Sequence, residues 1–240
     1  MKRLLFVLIL LDFSSLMAQE FLSANDSVPV SPDVAVSYYY KFTNQRSRLY
    51  NGKQFIAYNP AMEGHSYFMD AEMHKGTVIY DGLYFDSVNM QYDLVRDEIV
   101  IQHFDVFFKI VLISDKLKEF TLNGHHYKRV VRDSINKLPV STGFYDFLYD
   151  GKIKFIVKRT KSIQEVITDK VVQKIHEKDF YYVIRENVYY QVRSYKSLLS
   201  IFKDRSKDIR QDLRKQKLKF RKNREASILR AVTFYDSSKN

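Results

Sequence analysis

The chain has no cysteine and no tryptophan, and only four prolines and seven glycines among its 240 residues. Without cysteine there is no disulfide, no thiolate nucleophile, no cysteine metal ligand and no acylated N-terminal cysteine, so packing alone must hold the fold. The scarcity of proline and glycine, with aromatics at 15%, excludes a disordered or low-complexity chain and points to an ordered, well-cored one. Nucleotide-binding loops are missing as well: there is no GxGxxG and no P-loop. Neither HExxH nor the GxSxG nucleophile elbow occurs, so zincin and α/β-hydrolase chemistry have no local signature.

The longest apolar run near the start is Leu4 to Leu11, preceded by Lys2 and Arg3 and followed by Asp12 and small or polar residues up to Ala18-Gln19. A spanning helix needs roughly 18 or more apolar residues. This shorter layout predicts a signal peptide over residues 1–18, cut after Ala18, although Leu16 departs from the small residue expected before the cut. The expectation is therefore an exported protein of the periplasm or cell envelope, with no transmembrane helix in the mature chain.

Residues 19–32, with two prolines and several small polar side chains, predict an exposed leader. Ser31-Pro32 predicts a helix start, and Asn51-Gly52 its end through a left-handed glycine cap. Beyond residue 65, short β-branched and aromatic runs alternate with turn pairs. Asp81-Gly82, Asn123-Gly124 and Asp150-Gly151 each predict a two-residue hairpin turn, and Glu186-Asn187 separates a last pair of strands. Val88, Met90, Tyr92 and Leu94 alternate with polar residues, the mark of a strand with one buried face. FFKIVLI, at 107–113, predicts a central strand covered on both sides. The dipeptide Tyr-Asp occurs at 80, 92, 145, 149 and 235, and reads mostly as strand-end punctuation. The expected fold is α+β: about eight to ten strands in a mainly antiparallel meander (curved sheet, sandwich or small barrel) within residues 33–193. Basic helices follow over 194–240, with an apolar stripe at Leu198, Leu199, Phe202, Ile209 and Leu213 packed on the sheet, KLKF at 217–220 as a joint and Asn223 as the cap of the last helix.

The net charge of +11 is local. Residues 193–224 contain 13 Lys or Arg against 3 Asp, which leaves the rest of the mature chain near neutral. Such a segment is a solvated helix face, a surface that meets an anionic partner (lipid head group, acidic glycan or acidic protein), or the basic lip of an enzyme that gathers an acidic substrate. Nucleic acid is disfavoured for an exported protein without a recognised binding motif. The candidate contacts are Arg205, Lys207, Arg210, Arg214, Lys215, Lys217, Lys219, Arg221, Lys222 and Arg224.

Glu63, His65, Asp70, Glu72 and His74 form the densest acid and histidine cluster. Their spacing matches no standard zinc site, and a polar loop over a sheet edge is the plainer reading. His125 and His126, adjacent in a strand, face opposite sides and cannot share a ligand. Asp97-Glu98 falls in an expected turn, where acids are normally solvated. No catalytic, metal or cofactor residue is assigned.

LYNG at 49–52, GHSYF at 64–68, GTVIYDGLYFDSVNMQYDL at 76–94 and GFYDFLYDGKIKFIVKR at 143–159, together with the final hairpin and the basic segment, resemble exported β-rich proteins of Bacteroidota that have no assigned activity. Such proteins tend to show Gly-His-Pro where Ser66 follows His65 here. The resemblance also implies glycosylation at Asp-Ser-apolar signals, matched in form by Asp26-Ser27-Val28, Asp86-Ser87-Val88 and Asp133-Ser134-Ile135. Together these features predict a non-enzymatic binding or structural module of the envelope. The runner-up is an envelope hydrolase of polysaccharide or peptide with a site at 63–74.

Overall fold

A computed structural model describes residues 48–104, 107–132, 139–167 and 171–237. The leader, the expected helix up to residue 47, and the Asp-Ser-apolar signals at 26 and 133 lie outside them. Eleven strands form one antiparallel sheet: β1 (Lys53–Gln54), β2 (His74–Tyr80), β3 (Leu83–Asp93), β4 (Glu98–Gln102), β5 (Lys109–Val111), β6 (Leu117–Leu122), β7 (His125–Val130), β8 (Gly143–Asp150), β9 (Lys154–Ile167), β10 (Val171–Arg185) and β11 (Val188–Gln191). Their spatial order is β1-β5-β4-β3-β2-β6-β7-β8-β9-β10-β11. The expected α+β class, antiparallel sheet then helices, is the one observed. Two meanders meet where β6 returns to pair with β2, Val78 opposite Phe120. The helices follow as α1 (Tyr195–Ile201), α2 (Ser206–Lys215) and α3 (Arg224–Ser237). Among the described residues, no helix is long and apolar enough to cross a membrane.

Three turns form as their residues dictate. Asp81 and Gly82, Asn123 and Gly124, and Glu186 and Asn187 all have positive φ, the requirement of a two-residue turn whose twist matches the flanking strands. The Asp150-Gly151 turn differs. Asp150 stays in β8, paired in register with Lys154, and residues 151–153 form the loop. That loop is held from outside, because the Asp236 carboxylate of α3 accepts from the Tyr149 hydroxyl (2.8 Å) and the Lys152 amide (3.1 Å). Gly52 differs too. Arg48–Tyr50 is a single 3-10 turn, and Gly52 is not in the left-handed region. Its lack of a side chain serves close approach: a Cβ there would lie 2.3 Å from the Val111 carbonyl oxygen.

FFKIVLI is not a central strand. Only Lys109–Val111 pairs, between β4 and the edge strand β1, and Phe107 is 90% exposed. An apolar run reports hydrophobicity but not which neighbours arrive to cover it. In β3 the single buried face holds up to Met90, and beyond it Gln91 and Asp93 are buried as well. Segment 55–73 crosses that second face: Tyr58 donates to Asp93 (2.8 Å), and Gln91 donates to the Ala71 carbonyl. Asp86-Ser87 sits exposed at a bulge in β3, with Ser87 at φ 55°.

The sheet curls until the β3–β4 turn meets β8 and β9. The Lys161 amide donates to the Leu94 carbonyl (3.1 Å), and Lys158 pairs with Asp97 at 2.6 Å. Asp97 also accepts from Tyr92, so it is a joint of the curl and not the solvated turn acid expected from its position. Residues 63–68 bridge the remaining gap. Phe68 hydrogen-bonds to β3, Ser66 to Leu94 just beyond it and Glu63 to β10, and the Lys161 ammonium donates to the His65 and Tyr67 carbonyls. The concave side encloses one core around Tyr80, Met90, Tyr92, Phe120, Tyr127 and Phe144. A second core lies between β9–β10 and the helices: Phe155, Val157 and Val183 against Leu198, Phe202, Ile209, Leu213, Ile228, Val232 and Tyr235. Burial of this apolar area is the main term holding the helices on the sheet.

Candidate anion-binding face

The helical segment after Ser194 divides into α1 and α2 before the last helix. Ser194 and Ser197 form a reciprocal capping box that starts α1. The helix stops at Phe202, which is fully buried with its ring 4.7 Å from that of Tyr235. After a 3-10 turn over Lys203–Arg205, α2 buries Ile209 and Leu213. It ends in a Schellman motif: the Leu218 amide reaches the Leu213 carbonyl and the Lys217 amide that of Arg214. Lys217 holds the left-handed position at φ 55°, where glycine is usual. Residues 217–223 then lead to α3, with the Asn223 carbonyl accepting from the Ser227 amide (2.9 Å).

At about 100° per residue, Lys207, Arg210, Arg214 and Lys215 fall within an arc of about 140°, opposite Ile209, Asp212 and Leu213. Lys217, Lys219, Arg221 and Lys222 extend this cationic face beyond the helix. All eight are exposed, and none makes an ion pair among the described residues. The segment's three acids are taken up elsewhere. Asp204 accepts from Tyr235 (2.7 Å) and lies 3.7 Å from Arg185, Asp208 pairs with Arg205, and Asp212 takes a two-pronged bond from Arg230. Arg230 holds the Asp212 carboxyl below its ordinary pKa. The other two candidates are tied down: Arg205 lies over the Phe234 ring, and Arg224 over Tyr181 and Phe220.

A second charged cluster, absent from the sequence reading, lies inside the sheet. Asp146 is fully buried and accepts from His125 Nδ1 (2.7 Å) and from Arg159 Nε and Nη2 (2.9 and 2.6 Å). Arg159 Nη1 reaches Asp179 (2.9 Å) and Glu225 of α3 (3.1 Å). Burial works against the Arg159 charge, but Asp146 and Glu225 outweigh it and raise its pKa. Burial raises the Asp179 carboxyl, with Arg159 opposing. Among the described residues, one oxygen each of Asp146 and Asp179 has no hydrogen-bond partner. The cluster ties β7, β8, β9, β10 and α3 together. Its signal was the alternation in FYDFLY: Asp146 shares the inward face of Phe144. Tyr145-Asp146 is therefore an interior feature, whereas Asp93, although buried, does end β3 and accepts from the Val95 and Arg96 amides of the turn.

The 63–74 cluster does not converge on a ligand. Glu63 pairs with Lys174 (2.8 Å) and Asp70 with His74 (2.8 Å), while His65 stacks beside Tyr67. Burial, then Lys161, lowers the His65 pKa. Among the described residues no group of three or more His, Asp or Glu is placed to hold a metal ion. His125 and His126 diverge to Asp146 and Glu119.

Comparison with family models, curated proteins and solved structures finds no match to this chain.

Proposed function

We propose that this is an exported cell-envelope protein acting as a non-enzymatic binding or structural module, in which the curled sheet is the scaffold and the face formed by residues 207–222 meets an anionic partner. One observation carries the reading: among the described residues eight exposed cations stand without ion pairs, while the three acids of their segment pair with Arg185, Arg205 and Arg230. Exposed like charges repel, and their field reaches about one Debye length, ~8–10 Å, into solvent. An anionic surface relieves that repulsion and gains the released counterions. The hydrolase alternative draws less support, because Glu63, Asp70 and His74 are paired within the fold and the cluster does not converge.

The test is co-sedimentation with vesicles of phosphatidylglycerol and, separately, with an acidic glycan resin, at about 20 mM and about 500 mM salt. Binding to an anionic phase at low salt, lost at high salt and on Arg210→Glu/Arg214→Glu/Lys215→Glu, is the expected result. Failure to bind either phase at low salt overturns the proposal.

A further inference from the structure

The sheet is open, and its two edges differ. β1 closes one side with two residues, Lys53 and Gln54, both exposed. So short a strand with a lysine in it is a poor template for further pairing. β11 closes the other side with Val188-Tyr189-Tyr190-Gln191. It holds no charge and no proline, and it pairs with β10 without a bulge, from Tyr182 opposite Gln191 to Arg185 opposite Val188, so the usual devices that blunt an edge are missing. Tyr190 stands opposite Val183 of the second core, which puts it on the face of the sheet that carries the helices. The helices still leave this margin open, with Val188 50% and Tyr190 39% exposed.

Hydrogen-bond alternation fixes which backbone groups are available. The two-residue turn at Glu186-Asn187 and the Val192 amide bond to the Tyr181 carbonyl (2.8 Å) direct the amides and carbonyls of Val188, Tyr190 and Val192 toward β10. Those of Tyr189 and Gln191 point outward, and among the described residues nothing bonds to them. Asn187 ends this stretch with φ 62°, and at the other end the Arg193 amide is taken up by the Ser197 hydroxyl (3.0 Å). The usable edge is therefore 188–192, with Tyr190 at its centre. We propose that it pairs antiparallel with the same edge of a second copy, about a two-fold axis at Tyr190 perpendicular to the sheet. Tyr189 then exchanges both backbone bonds with Gln191 of the second copy, and Gln191 with its Tyr189. Tyr190 meets Tyr190 of the second copy as an aromatic cross-strand pair, and Val188 lies opposite Val192. The ends complement each other: Arg193 falls opposite Asn187 of the second copy and beside its Glu186, whose side chain is 77% exposed. An axis so placed leaves both helical layers on the same face of one continuous sheet. Because α2 turns Ile209 and Leu213 to the sheet, its cations point away from it, and the two 207–222 faces address one side of the pair. The pairing does not depend on the anionic-partner reading, but it gives that reading two points of attachment.

The contact is small, so association is weak and concentration-dependent. Analytical ultracentrifugation from about 5 µM to about 500 µM should show the average mass rising toward twice that of the monomer. Tyr190→Lys sets two ammonium groups face to face at the axis and should weaken association about tenfold or more, with the urea midpoint little changed because the position is exposed. The absence of cysteine makes the register itself testable. At the axis the two Cα atoms stand about 4.5 Å apart, within disulfide range, whereas the two copies of residue 188 are about 14 Å apart. Tyr190→Cys should therefore oxidise to a covalent dimer at least about tenfold faster than Val188→Cys. A chain still monomeric at the highest concentration leaves the edge to another protein's strand and overturns the proposal. Association untouched by Tyr190→Lys, or equal oxidation of the two cysteine variants, overturns it as well.

Discussion

The charges around Arg159 and those of residues 207–222 obey opposite rules. Inside, one guanidinium answers Asp146, Asp179 and Glu225, and a histidine shares Asp146. Outside, eight cations make no ion pair among the described residues. A buried ion is tolerated only when partnered, so the inner cluster is constrained by folding. An exposed ion is solvated at little cost, so folding leaves the outer face unconstrained and available to a partner.

The largest effect should come from breaking the inner cluster. Arg159→Met leaves Asp146 and Asp179 without their cation and should cost about 3–5 kcal/mol in urea unfolding. The triple charge reversal on α2 should shift stability by less than about 0.5 kcal/mol while removing vesicle binding. If the two swapped magnitudes, the contrast between the regions would collapse.

Next comes acid. Lys128 and Lys154 hold the Asp150 carboxyl below its ordinary value of 3.8, as Arg230 does for Asp212. A depressed folded pKa contributes stability that is present above 3.8 and lost as pH falls through the lowered values. Asp179 has the opposite sign: its raised pKa favours the neutral form in the fold, so its contribution is present below 3.8 and lost as pH rises through the raised value. Thermal melts from pH 6 down to about 2 should show Asp150→Asn/Asp212→Asn flattening the acid loss and Asp179→Asn steepening it. Parallel curves for all three would contradict these assignments.

The smallest effect is at Lys217. An L-residue in the left-handed region costs about 1–2 kcal/mol, partly offset when glycine adds freedom to the unfolded chain. Lys217→Gly should therefore raise stability by up to about 1 kcal/mol while slightly weakening anion binding. A lower urea midpoint would show that the lysine stem packs usefully on α2.

Local features were legible without coordinates. Asp81-Gly82, Asn123-Gly124 and Glu186-Asn187 turn as read, because a two-residue hairpin needs only its own backbone and its flanking strands. Asp150-Gly151 was misread because its loop is held by Asp236, far along the chain. The candidate face was found through charge counting alone, whereas the Arg159 cluster was missed. Its members sit at 125, 146, 159, 179 and 225, and only strand register and the docking of α3 bring them together.

The amino-acid order by itself determined a cysteine-free antiparallel scaffold and a cationic helical segment, since turn chemistry, alternation and charge density act over a few residues. Only the tertiary structure decided that β6 pairs with β2, that FFKIVLI lies near an edge, and which carboxylates are buried. Those outcomes depend on burial shared between distant segments, a quantity that exists only once the sheet has curled and the helices have docked.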